Sequence, residues 1–422
     1  MPSHDRVCFP LAEPQRWLLD QIGPGADASA YVSFLAHHVH GPLDLLRLRR
    51  AVDALTARHE PLRTTFPADE DGIVRRQCVE APGAVPWDLT VVDAPSAVSG
   101  TPSLLSGEDA LLREFAGLPF DLARGPLARV LVVRRAAEEH LVVLAVHLLA
   151  ADGWSLRILL DELGGYYDDA ERTDALLPPL GIQYADWAHW QARRAPLPES
   201  GRRVVPPPRP ADGPGRRLRT SPVRILGAEL LARQERVPLF TVLLTAFALA
   251  ARRAASPHVV VDVPVSGRDH PQLAAIAGFF TRLRRLDVPL PGDTTFRQAV
   301  RRVHGVWAEA EESGTGSAHP PRTARTGGVV PLFSYRGGDV QPRLRLEDCA
   351  VTEARWVHDA AKVDLGLITD RVEDSVHPLL EFRPSVFSEQ AAGRLGGRFA
   401  ALLDGVTGDP DGGPVPQGEG AP

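Results

Sequence analysis

The sequence is short of cysteine, lysine and long apolar runs, and each shortage closes off a class of protein. Its three cysteines, Cys8, Cys78 and Cys349, lie far apart in 422 residues. An odd and scattered set offers no disulfide framework and no zinc spacing, so a reducing cytoplasm is the expected compartment. Lysine occurs once, at Lys362, among 47 basic residues. The arginine bias reads as coding composition rather than chemistry. Net charge is -6, which argues against a general nucleic-acid surface. The longest apolar run, Val237 to Ala251, is too short and too close to arginines for a membrane span. The opening MPSHDRVCFPLAEPQ lacks a basic start followed by an apolar stretch, so no signal peptide is expected. No internal repeat is visible.

What is present is ordinary for a globular chain: 44% hydrophobic and 24% charged residues. The length suits about two to three domains and a sizeable core. The most informative stretch is Ala145 to Leu163, AVHLLAADGWSLRILLDEL. An apolar strand, Leu141 to Val146, runs into His147. A short loop carries Asp152 and Gly153. Trp154 and Ser155 then open a helix with apolar residues at Leu156, Leu159, Leu160 and Leu163. Such a strand, loop and helix start can hold polar groups against a substrate. Ser155, at the helix start, reads as an N-cap rather than a nucleophile.

Around this centre the chain reads as follows. Pro10 to Ile22 predicts a short amphipathic helix with a buried tryptophan, Trp17. Tyr31 to His40 predicts a strand. Alternation puts His38 and His40 on one face and His37 on the other with Leu35 and Val39. No cysteine or carboxylate stands nearby, so these read as strand histidines and no metal is expected. Asp44 can cap a helix whose stripe is Leu45, Leu48, Val52 and Leu55. That helix ends in Arg58-His59-Glu60-Pro61, a charged, proline-broken end that reads as a salt-bridge cluster. Ala128 to Arg134 and His140 to Val146 predict a hairpin. Trp187 and Trp190, at helical spacing, are expected in a core. The second half restarts with a helix, Leu239 to Arg252, and a strand, His258 to Val265.

Low apolar content and Pro206, Pro207, Pro208, Pro210 and Pro214 mark residues 194–222 as a linker. Residues 313–326 are small and polar and read as a mobile loop. The Gly/Pro-rich residues 407–422 read as a disordered tail. The expected division is therefore 8–193, the linker, 223–406, and the tail. Composition and pattern alone give two α/β or α+β domains.

Several stretches together resemble the condensation domains of nonribosomal peptide synthetases. The family signature is two histidines, three variable residues, then Asp-Gly. Here it is His147-Leu148, then Asp152-Gly153, with Leu148 in place of the second histidine. Gln15-Arg16-Trp17, Arg58 to Phe66, Tyr184 to Trp190, Ser266 to Pro271, Ile276 to Phe280, Pro331 to Arg336 and Ala361 to Leu365 resemble further family motifs. Together they cover about residues 8–405. The sequence departs from the pattern after Phe279-Phe280, where Thr281-Arg282-Leu283 replaces the usual Val-Asn-Thr.

The resemblance implies an α/β (α+β) fold of two chloramphenicol acetyltransferase-like lobes in a V, with an active-site channel at their junction. It implies that two carrier-bound thioesters meet there and that an amine attacks one of them. It implies that Asp152, Gly153 and Arg268 are structural at the site, with Arg268 paired to Asp152. Channel-lining candidates are Leu148, Trp154, Ser155, Phe279, Arg282, Ser334 and Tyr335. The second histidine of the family is thought to handle the amine proton, and leucine can neither accept a proton nor a hydrogen bond. Loss of a general base costs about 10² to 10⁴ in rate. His147 is then the one catalytic candidate in the motif.

The expectation is a free-standing, divergent acyltransferase acting on carrier-bound thioesters. An alternative is an inactive condensation-like module that binds a carrier protein or recruits a tailoring enzyme. A second alternative is an acyltransferase that uses a soluble acyl-coenzyme A. The chain itself is expected to bind no cofactor, the phosphopantetheine arm coming from a peptidyl or acyl carrier protein. It is expected to be a cytoplasmic monomer that engages neither nucleic acid nor membrane.

Overall fold

The computed structural model describes residues 6–22, 28–94, 106–194, 215–252, 256–312, 329–337, 343–354, 360–408 and 411. In chain order the first elements are β1 (Val7–Pro10), α1 (Glu13–Ile22), β2 (Val32–His40), α2 (Leu45–Arg58), β3 (Thr64–Thr65), β4 (Arg76–Val79), β5 (Asp88–Asp93), α3 (Ser106–Gly117), β6 (Ala128–Ala136), β7 (Glu139–His147), α4 (Gly153–Asp168), α5 (Ala170–Leu176) and α6 (Tyr184–Arg194). There follow β8 (Arg216–Arg219), β9 (Val223–Arg224), α7 (Leu226–Glu235), α8 (Leu239–Ala251), β10 (His258–Val265), β11 (Arg282–Pro289), α9 (Phe296–Glu312), β12 (Leu332–Arg336), β13 (Ala350–Glu353), β14 (Leu365–Val372), β15 (Ser375–Phe382) and α10 (Glu389–Gly408).

Two units divide these elements. The first comprises Met1–Pro208, Gly267–Phe280 and Pro342–His358; the second Arg209–Ser266, Thr281–Gln341 and Asp359–Pro422. This corrects the contiguous division read from the sequence. The segment around Gly267–Phe280 joins the first unit, and β13 pairs with β2 there. The proline-rich signal located a composition change, but strand pairing with distant residues decides membership.

In the first unit a sheet runs β13-β2-β7-β6-β5. β7 is central and apolar on both faces. Val142, Leu144 and Val146 enter a core covered by α2 and α4, and Leu141, Val143 and Ala145 enter a second core with Leu112 and Phe115 of α3. A strand buried on both sides loses the polar alternation of a half-exposed one and reads as a continuous apolar run. α2 is capped by Asp44, which accepts from Leu46 and Arg47 N–H groups. At its other end Arg58 and His59 share the Glu162 carboxylate at 3.1 and 2.7 Å, so the expected charged cluster is there. His37 is buried, and burial, with His38 beside it, lowers its pKa to about 4. Arg135 donates to His38, which lies on the other face.

Three further expectations need correction in this unit. Cys8 and Cys78 stand opposite each other on β1 and β4, Cα atoms 4.0 Å apart, and form a disulfide. Their 70-residue separation hid the pairing from a reading by spacing. Trp187 is buried with Tyr184 and Phe280, but Trp190 is 53% exposed with Arg194 stacked on it at 4.9 Å. Three residues on, it falls about 60° further round the helix, outside the buried arc. Trp17 is only half-buried; Leu18 and Ile22 take the core positions of α1.

The second unit is a sheet ordered β11-β10-β12-β14-β15-β8, with β9 also on β15. α7, α8, α9 and α10 contribute to one apolar cluster with Val259, Val261, Val263, Phe333, Leu367, Leu380 and Phe382. α8 is the innermost of them, with ten consecutive buried residues from Thr241 to Ala250. Alternation sends Asp262, Ser334 and Glu381 to the opposite face of the sheet. Among the described residues no single helix is long and apolar enough to cross a membrane.

Most of the expected linker, residues 195–214, lies outside the described residues, as do the 313–326 loop and nearly all of the tail past Gly408. The end of the expected linker is β8, a correction. Arg216 to Arg219 pair with Phe382 to Leu379, Leu218 packs on the core, and Arg217 pairs with Glu381. Arginines disguised a strand whose partner is more than 150 residues away.

At the C-terminal end of α7, Glu235 receives Arg301 at 2.6 Å and Arg297 at 2.5 Å. Arg301 first, then Arg297, hold its pKa down to about 2. A folded pKa below the unfolded one stabilises above the unfolded value, and that stability is lost as pH falls towards the folded value. Glu235→Gln is therefore expected to lower the melting temperature at pH 7 and to leave it unchanged near pH 2. A melting-temperature difference that is constant from pH 2 to pH 7 would refute the assignment.

Candidate functional site

β7, the central strand of the first unit's sheet, ends at His147, where the chain turns. Its backbone N–H donates to Leu127 O at 2.9 Å, and its carbonyl receives the Ala150 N–H at 2.9 Å. The ring is fully buried and meets Phe120 edge-on, centroids 5.9 Å apart. Nδ1 accepts the Leu149 N–H at 3.2 Å. Accepting there places the neutral ring's proton on Nε2. The histidine thus shapes the loop it begins.

Leu148 takes the opposite side. Its N–H donates to Tyr31 O at 2.8 Å, and its half-buried side chain packs on the core shared with α2 and α4. An apolar side chain at this position joins the packing and offers no proton acceptor.

Asp152 caps α4, a correction to the sequence reading that gave this role to Ser155. Its Oδ1 accepts the Ser155 N–H at 2.9 Å, so Gly153 is the first helical residue and Ser155 lies inside the first turn. Gly153 is exposed at that turn. The carboxylate is 2% exposed and meets Arg268, 4% exposed, at 2.7 Å. Arg268 also reaches Oδ1 at 3.2 Å, and Oδ2 takes the Phe280 N–H at 3.1 Å. Two buried charges are tolerable because they are paired and their remaining sites are filled.

Ser155 is wired into the same network. Its Oγ lies 2.7 Å from Asp152 Oδ1 and 2.8 Å from Gly278 O, the two acceptors for its single proton. It accepts from Arg268 at 2.8 Å and from the Gly278 N–H at 3.0 Å. A hydroxyl engaged on every side is not a poised nucleophile. The Asp152 N–H donates to Gly278 O at 3.1 Å. Arg268 further donates to Ile276 O at 3.2 Å and lies 4.2 Å from the centroid of the Phe280 ring. The network therefore fastens the start of α4 to residues 267–280.

The other candidates divide. Trp154 is half-buried and donates its Nε1–H to Ala274 O at 2.9 Å, with Arg157 stacked 4.7 Å from its ring. Phe279 is 4% exposed and belongs to the core with Leu149 and Leu156, so it packs rather than lines an open wall. Arg282, Ser334 and Tyr335 belong to the second unit. Arg282 opens β11 opposite Val265 and is half-buried. Ser334 and Tyr335 are neighbours on β12 and face opposite ways. Tyr335 packs on the helix-side core and Ser334 lies on the other face, so the two cannot line one wall together.

Sequence reading missed Gly278 and Tyr184 as parts of the site. Gly278 has φ +154° and its missing Cβ leaves room for the Tyr184 ring, whose hydroxyl donates to Phe279 O at 2.7 Å. The glycine before the Phe-Phe pair was the available signal.

A family model described as Condensation domain matches residues 6–199. Phosphinothricin tripeptide synthetase PhsC of Streptomyces viridochromogenes is 31% identical over 438 residues, covering 96% of this chain and 39% of that protein. The chain thus spans less than half the length of that relative. The first condensation domain of the calcium-dependent antibiotic synthetase, in complex with a substrate analogue, matches with TM-score 0.75 at 20% identity over 97% of this chain and 100% of that one. The X-domain in its complex with OxyB from teicoplanin biosynthesis matches with TM-score 0.74 at 21% identity over 98% and 95%. At such identities the two structures share a fold with this chain.

Proposed function

Because this chain belongs to the condensation-domain family of nonribosomal peptide synthesis, we propose that it works there as a binding module. In this reading it engages a carrier protein's thioester-bearing phosphopantetheine arm and presents it to a tailoring enzyme, without joining two substrates by the histidine route. The observation that carries the reading is the pair His147-Leu148. The position of the family's second histidine holds a half-buried leucine packed against a core. The remaining histidine is buried, with Nδ1 committed to a backbone N–H. One fold neighbour is held in complex with a second protein, OxyB, which suits a recruiting role. In this reading the chain acts as a monomer and its partner is a peptidyl or acyl carrier.

A second reading, a divergent acyltransferase on carrier-bound thioesters, is favoured by the Asp152–Arg268–Ser155 network. Alignment of two reactants alone can lower a barrier by several kcal/mol.

Two measurements decide. Carrier protein bearing its phosphopantetheine arm should bind this chain more tightly than the bare form. With aminoacyl-loaded donor and acceptor carriers, the wild-type chain and His147→Ala should give the same background of dipeptide. Product that is formed by the wild type and lost in a folded His147→Ala protein would replace the binding reading with the catalytic one.

A further inference from the structure

The Cys8–Cys78 bond borders a surface cavity of about 420 Å³, lined by none of the residues around His147. One wall is β1 and β4, with Arg6 just before β1 and Arg75 and Arg76 at the start of β4. The other is the turn between β3 and β4. An Ala68–Val74 bridge closes that turn, and Asp69 Oδ1 accepts the Asp71 and Ile73 N–H groups at 3.0 and 2.9 Å. The two half-cystines differ in access: Cys8 is exposed on the cavity wall, whereas Cys78 is 2% exposed. The lining is also unbalanced in charge, with three guanidinium groups to the one carboxylate of Asp69. Arg75 pairs with Asp69, and Arg6 reaches Glu80 at 3.1 Å. Arg76 is exposed and, among the described residues, pairs with no carboxylate.

We propose that this disulfide is a thiol-exchange site for a small anionic thiol, which the uncommitted guanidinium of Arg76 draws into the cavity. Exchange depends on access and on which sulfur is attacked, and exposed disulfides are the labile ones. The incoming thiolate attacks Cys8 Sγ, the accessible sulfur. A new S–S bond forms to the ligand, the Cys8–Cys78 bond breaks, and Cys78 leaves as a thiolate that takes a proton from water. Arginines near a sulfur stabilise its thiolate, and a better leaving thiolate departs faster. A second ligand thiolate attacks the ligand sulfur of the mixed disulfide, and Cys8 leaves as a thiolate that is protonated in turn. Two ligand thiols are oxidised to one disulfide and the protein bond is reduced to two thiols. The reverse sequence, with the ligand's disulfide as oxidant, closes the bond again. Opening removes the covalent tie between β1 and β4 and leaves their ladder and the Gln15–Gln77 bond at 3.0 Å. The site uses none of the residues that carry the binding role proposed above and does not depend on it.

The test treats the oxidised full chain at pH 7 with 2-mercaptoethanesulfonate, 2-mercaptoethanol or 2-mercaptoethylamine, thiols that differ only in the charge of their far end. Mixed disulfides are located by peptide mapping. Each rate is divided by that of the same thiol on bis(2-hydroxyethyl) disulfide, which removes differences in intrinsic nucleophilicity. At about 0.01 M salt the sulfonate should exceed the amine about tenfold on this scale; at about 1 M salt, where the Debye length is about 3 Å, the two should converge. The adduct should form at Cys8. Arg76→Gln alters an exposed side chain and should fold normally, lower the sulfonate rate about threefold and leave the 2-mercaptoethanol rate unchanged. Equal normalised rates for the three thiols, an Arg76→Gln protein indistinguishable from the wild type, adducts at Cys78, or a bond that opens only in denaturant would overturn the proposal.

Discussion

Asp152→Ala is expected to destabilise the first unit by about 3–5 kcal/mol, the usual cost of leaving one member of a buried ion pair alone. The substitution removes more than one partner. Arg268 loses two contacts, Ser155 loses an acceptor for its N–H, and the Phe280 N–H is left buried. For a unit of this size the loss should appear as a fall in melting temperature on the order of 10 °C. Asp152→Asn keeps one acceptor and should lose less. Replacing Arg268 as well should cost less than the sum of the two single changes, because each change alone strands the other group. An Asp152→Ala protein that keeps its stability but loses its function would instead mean that the carboxylate serves chemistry.

Gly278→Ala is the second large effect. At φ +154° an alanine is strained, and its Cβ would meet the Tyr184 ring at Cδ2 and Cγ. Backbone strain costs about 1–3 kcal/mol, and overpacking of a core about as much again. The ring cannot step aside cheaply, since it packs edge-on against Phe280 and at a tilt against Trp187, and its hydroxyl holds Phe279 O. In a double-mutant cycle, Tyr184→Ala should absorb the steric part of the penalty and leave the backbone part. Additive losses in denaturant unfolding would show that the two residues do not collide.

Much of this site was legible because it is local. The apolar run of β7, the turn at Asp152-Gly153 and the 3.6-residue stripe of α4 are written in consecutive residues. The parts that escaped depend on residues far away in sequence. Ser155 looked like a cap because serine at a helix start usually is one, yet the stronger acceptor three residues earlier takes the N–H. Phe279 looked like a channel residue because it sits in a recognisable motif, but packing rather than motif position sets its burial. The Cys8–Cys78 bond and the arginine-rich strand β8 depend on pairings that no spacing rule contains. Trp190 shows the limit of periodicity in the other direction: helical spacing places two tryptophans near each other, but the width of the buried arc admits only one.

The chain leaves the first unit and returns to it twice, for Gly267–Phe280 and for Pro342–His358. A gene fragment encoding residues 1–208 would therefore lack Arg268, Gly278 and the edge strand β13. Such a fragment would leave Asp152 without its partner and expose the edge of β2 that β13 covers. Exchange of this unit between related genes by recombination requires either three coordinated replacements or transfer of the chain whole. Shuffling breakpoints that respect the fold fall outside residues 8–405, and a crossover within the proline-rich stretch joins Asp152 of one parent to Arg268 of the other.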